Sequence, residues 1–149
     1  MNWSIQLAWL GCDADGQGSI SISSLIEALE YAEAHDISIT NNSYGGCSYS
    51  HIFEQAIENY DGLFVVSAGN ENNNNDETPV YPASYDSNNI ISVAATDNEL
   101  NKESNSNYGV DSVDVAAPGP MYIVLCRVIV TGIRQEHQWL LLLFQVLRL

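Results

Sequence analysis

Positive charge is almost missing from this sequence. Its 149 residues hold only 4 Lys and Arg against 19 Asp and Glu, for a formal net charge of −15. Such a surface has little with which to displace the counterions of a phosphate backbone, which argues against a nucleic-acid partner. It argues equally against docking on an anionic membrane. Cysteine is scarce: Cys12, Cys47 and Cys126 make no even framework and fit no CxxC metal spacing, so they read as three unrelated thiols. Long hydrophobic runs are also lacking. The two longest, MYIVLCRVIV and WLLLLFQVLRL, fall well short of the ~20 residues that span a bilayer, so no membrane segment is expected. The opening MNWSIQLAWLG has neither a basic stretch nor a long apolar core, so no signal peptide is expected and the compartment stays open. Asn2 and Asn41 match the glycosylation pattern and read as chance.

What is present suits one acidic globular domain: 46% hydrophobic residues and a length that buries a single core. The composition nevertheless breaks near residue 120. Residues 1–120 carry 18 acidic residues and one base, Lys102, with 15 Asn and 16 Ser. Residues 121–149 carry three Arg and one Glu, and neither Asn nor Ser. The expected division is therefore a domain over 1–120 and an apolar tail over 121–149.

Within the first part, apolar residues at helical spacing predict a helix over 21–34, with Ile22, Leu25, Ile26, Leu29 and Tyr31 on its apolar side. A second helix is predicted over 51–60. DISITNNS alternates and reads as a strand ending at a turn, SYGG. GLFVVSAGN (62–70), NIISVAAT (89–96) and SVDVAAPG (112–119) are short continuous apolar runs of the kind buried on both faces. Helices alternating with such strands predict an α/β fold with a parallel sheet, whose ligand-facing residues lie at the carboxyl ends of the strands. Those ends carry Asn42-Ser43-Tyr44-Gly45-Gly46 and Ala68-Gly69-Asn70.

NNSYGG, VVSAGNE, YPASYDSNNIISVAATD and VDVAAPG follow one another in the order and approximate spacing found in the subtilisin-like serine peptidases, the subtilases. The resemblance covers about residues 13–119. It implies a partial subtilisin-like parallel sheet with flanking helices, truncated at both ends, and a parent activity of peptide-bond hydrolysis by a serine nucleophile. By the same resemblance Asn70 matches the oxyanion-hole asparagine. Losing that donor costs roughly 2.7–4 kcal/mol of barrier in subtilisin, a value that belongs to that enzyme. Ser43, Tyr44 and Gly45 match the segment whose backbone lines the non-primed side. Ser67, Ala68 and Gly69 match one wall of the pocket for the side chain before the scissile bond. Gly18 and Ser19 resemble the strand that pairs with an extended peptide, the partner the resemblance implies. No cofactor is implied beyond a weak structural cation on the carbonyls of Ala83, Tyr85 and Asn88.

The chain departs from the family pattern where the chemistry resides. It contains no Gly-Thr-Ser-Met-Ala nucleophile motif, no Asp-Thr-Gly and no His-Gly-Thr. Asp13 and Asp15 do not match the catalytic aspartate, and His35, His51 and His137 lie outside the histidine context. Without nucleophile and base the triad cannot operate, so the chain as written is expected to be inactive. Read one register over, the codons for Gln135 to Leu140 permit Gly-Thr-Ser-Met-Ala, and those from Pro120 onward permit a continuation of Ala-Pro-Gly-Pro. A single-base deletion near codon 121 would account for both the missing motif and the foreign tail; the alternative is a genuine apolar tail. A reading from another class is a calcium-binding loop over 13–24, with Asp13, Asp15 and Gln17 at the first three ligand positions and Gly18 at the sixth. Ser24 stands where a bidentate Glu is required, and no second loop exists, so a polar turn entering a helix is the preferred reading.

Overall fold

A computed structural model describes residues 20–119 of the chain. Two helices and four strands follow in the order α1 (Ile22–Ala34), β1 (Ile39–Asn42), α2 (His51–Asn59), β2 (Leu63–Ser67), β3 (Ile90–Thr96) and β4 (Val115–Pro118). The strands form one sheet in sequence order, and every neighbouring pair is parallel. The α/β class and parallel sheet expected from the sequence are both present. The Gly18–Ser19 segment, most of the 13–24 loop and the 121–149 tail lie outside the described residues.

Local chemistry sets the helix ends. Ser21 caps α1, its hydroxyl accepting from the Ser24 N–H at 3.1 Å, and Ser50 caps α2 by accepting from Phe53 N–H. After α1 the chain turns through Asp36 at φ 54, and the Ile37 N–H returns to the Ala32 carbonyl at 2.9 Å. α2 is closed from a distance. The Asn89 carboxamide nitrogen lies 2.7 Å from the Ile57 carbonyl, 2.9 Å from that of Tyr60 and 3.3 Å from that of Gly62. An asparagine just before β3 thus satisfies carbonyls that the helix end leaves open.

Alternation along β2 sends its side chains to opposite faces. Phe64 and Val66 join Leu25, Leu29, Ala32, Phe53 and Ile57 in the larger core, beneath both helices. Val65 joins Val93 and Ala117 on the other face, flanked by Ile39, Leu63 and Ile91. Fully burying a side chain the size of Phe53, Ile57 or Phe64 contributes roughly 1.5–3 kcal/mol each, so these residues anchor helices to sheet.

The fold departs from the sequence pattern in two places. Helical spacing puts Ile22 and Tyr31 on the apolar side of the first helix, but both are exposed, and Ala32 completes the buried stripe with Leu25 and Leu29. Tyr31 instead stacks on His35 with ring centroids 3.9 Å apart. The apolar run of the last strand predicts burial throughout, whereas Val115 and Ala116 are exposed and burial begins at Ala117.

Candidate functional site

In a parallel sheet all carboxyl ends lie along one edge, and here β1 and β2 end side by side, with Asn42 opposite Val66. Past these ends the chain makes two irregular turns, Ser43–Cys47 and Ala68–Asn70. All of these residues but Ala68 line a cleft of about 830 Å³, which also takes in Glu71, Asn73, Thr78, Val80 and Asn105.

The first turn is fixed at its root and its far end. Buried Asn42 donates to the Val65 carbonyl at 3.2 Å and accepts from the Tyr44 hydroxyl at 3.1 Å. Gly46 and Tyr81 exchange two backbone hydrogen bonds of 2.9 and 2.8 Å, which ties this turn to the 78–82 segment. Gly45 lies so close to Val80 that a Cβ there would sit 3.1 Å from its Cγ1. Nearby, the Tyr49 hydroxyl donates to Glu54, and that bond to a carboxylate pushes its pKa up to about 12.

The second turn is held by buried amides. Ala68 is fully buried, and its carbonyl accepts from the side chains of Asn75 at 2.8 Å and Asn107 at 3.0 Å. Gly69 adopts φ +113, a conformation that a side chain resists, and a Cβ there would lie 2.3 Å from the Asn107 nitrogen. Asn70 is exposed at the cleft. Its backbone N–H donates to the Glu71 carboxylate at 2.9 Å, whereas its carboxamide makes no hydrogen bond among the described residues. The arrangement therefore offers an uncommitted N–H donor beside two irregular backbone segments, one on each strand end.

Of the residues singled out from sequence, Ser43, Tyr44, Gly45, Ser67, Gly69 and Asn70 come together around this one cleft. Ala68 does not line it and supports it from behind. Ala83 and Tyr85 are buried in the turn before β3, and Asn88 is exposed there, away from the cleft. Among the described residues no group of three His, Cys, Asp or Glu could hold a metal ion, and Ser24 of the calcium-loop reading lies in the first turn of α1. No described helix is long and apolar enough to cross a membrane. Reasoning from sequence misses Val80, Glu71 and the buried pair Asn75 and Asn107. For Asn75 the one signal is its Asn-rich tract, which says that some amide must meet backbone but not which amide or which group.

The sequence pattern described as "Subtilase family" matches residues 2–139. Subtilisin DY of Bacillus licheniformis is 34% identical over 109 residues, covering 70% of this chain and 39% of that protein. Thermitase of Thermoactinomyces vulgaris is 37% identical over 108 residues, covering 70% and 37%. Among solved structures, that of the prenylagaramide maturation protease PagA superposes with a TM-score of 0.60 at 26% identity, covering 72% of this chain and 40% of that one. The chain thus spans under two fifths of the length of these two curated relatives.

Proposed function

This chain belongs to the subtilase family, and on that premise we propose that its cleft receives an extended peptide, with Asn70 as the oxyanion donor of a peptidase site. One observation carries the reading. An exposed asparagine carboxamide with no described partner stands on the Gly69–Asn70 turn, across a shared cleft from Ser43–Gly45. Acyl transfer requires an N–H donor where negative charge develops, and a carboxamide with no described partner of its own has that N–H to give. The Ser43–Gly45 backbone would hold the peptide on the non-primed side, Ser67 and Gly69 would flank the side chain before the scissile bond, and Gly18–Ser19 would supply a pairing strand.

The same reading holds that the chain as written binds without cutting. None of the family's three triad motifs occurs in its 149 residues, and an oxyanion donor alone leaves the attacking group and its base unsupplied. The out-of-frame origin of residues 121–149 belongs to this reading too.

Titration of the isotopically labelled full chain with an uncharged, end-blocked hexapeptide tests the cleft. Amide resonances of Ser43–Gly46 and Ser67–Asn70 are expected to shift together and saturate. Shifts confined to other segments, or none at millimolar peptide, would remove the cleft from the account.

A further inference from the structure

The turn carrying Asn70 has no regular secondary structure, so its polar groups must be satisfied from elsewhere. One side chain reaches three of them, the Ala68 carbonyl and the Glu71 and Asn73 N–H groups. Asn107, on the loop between β3 and β4, is fully buried. Its carboxamide oxygen accepts from the N–H groups of Glu71 at 2.8 Å and Asn73 at 3.0 Å. Its nitrogen lies 3.0 Å from the Ala68 carbonyl, 2.9 Å from a Glu71 carboxylate oxygen and 3.1 Å from the Asn75 carboxamide oxygen. Its backbone N–H donates to the Gly69 carbonyl at 3.0 Å. The same Glu71 oxygen accepts the Asn70 N–H at 2.9 Å. The residues on both sides of Asn70 are thus tied to Asn107, and Asn70 itself is tied to it through one carboxylate oxygen.

We propose that Asn107 is a positioning residue for Asn70, fixing through the Glu71 carboxylate and the 68–73 backbone the turn that presents the Asn70 carboxamide to the cleft. An amide is the group this position demands, because its oxygen accepts from two N–H groups while its two N–H hydrogens are shared among the Ala68 carbonyl, the Asn75 carboxamide oxygen and the Glu71 carboxylate. Aspartate would keep the acceptors, lose every donor and set a second carboxylate against Glu71. Gly69 is the complement of the clamp, since a Cβ there would strike the Asn107 nitrogen. The functional meaning rests on reading Asn70 as the oxyanion donor. The placement itself is measurable without any substrate.

The test is the position and exchange of the Asn70 resonances in the labelled full chain, in three variants. In Asn107→Asp both the backbone and side-chain amide signals of Asn70 are expected to move, while those of Phe53 and Phe64 stay in place. In Glu71→Ala, a change at an exposed side chain, the Asn70 N–H is expected to exchange about tenfold faster on losing its acceptor. Glu71→Gln is expected to restore it, because one amide oxygen can take both hydrogen bonds. If Asn107→Asp does not fold, the Glu71 pair decides alone. Asn70 signals unmoved in Glu71→Ala, or unmoved in a folded but less stable Asn107→Asp, would overturn the proposal and leave Asn107 a structural residue only. A wild-type spectrum without dispersed Gly69–Asn73 amides would overturn it as well. Peptide titration of the wild-type chain is scored separately, so a cleft that binds nothing does not alter these outcomes.

Discussion

Gly69 concentrates the demands of the site in one residue. Its φ of +113 lies outside the conformations a side chain tolerates, and there is no room for a Cβ beside Asn107. Gly69→Ala is therefore expected to lose roughly 1–3 kcal/mol to backbone strain alone, read as a fall in the urea midpoint. A midpoint within error of wild type would show that the turn is not held as described. Asp76 makes a comparable demand on pH. The Ser112 hydroxyl, at 2.7 Å, and then the Val110, Ser112 and Asp111 N–H groups hold its carboxyl below the ordinary 3.8. A folded pKa below the unfolded one means that the stabilisation is complete above about the ordinary value and is lost as pH falls through the lower, folded value. The Val110 and Ser112 amide resonances are expected to titrate with a midpoint below 3.8, and Asp76→Asn to abolish that titration. A midpoint at or above 3.8 would contradict the clamp.

At the scale of elements, the ends of α2 show where sequence reasoning succeeds and where it stops. Both helices and all four strands are legible, because apolar spacing of three and four, short β-branched runs and serine caps are local signals. Their bounds move by only a few residues, as at α2, read over 51–60 and found over His51–Asn59. The cleft turns are legible for a different reason: motifs in a fixed order carry a resemblance that periodicity does not. Asn75, Asn89 and Asn107 are not legible. Their partners are carbonyls and N–H groups up to 39 residues away, and no local pattern says which backbone group the fold will leave open. Asn89→Ala strips the donor from the carbonyls of Ile57, Tyr60 and Gly62, and is expected to cost about 1–3 kcal/mol in chemical denaturation. Ser21→Ala removes one cap from α1 and is expected to cost about 1 kcal/mol. An Asn89→Ala midpoint within error of wild type would deny Asn89 its role in closing α2.

At the scale of the whole molecule, a family fold and an altered composition meet in one chain. The acidic, asparagine-rich part builds the sheet and cleft, and the residues after Pro120 change character at once. If that change is a shift of frame, sequencing genomic DNA and transcript across codons 117–140 is expected to reveal one additional base, restoring Gly-Thr-Ser-Met-Ala. An unchanged reading in both would make the tail part of the protein. The central claim, a peptidase cleft that receives a peptide but cannot cut it, is tested most directly by incubating the full chain with a fluorogenic peptide, with and without a serine-directed phosphonate. The account predicts no hydrolysis above buffer and no covalent adduct. Turnover that the phosphonate silences, with an adduct on a serine of this chain, would contradict it.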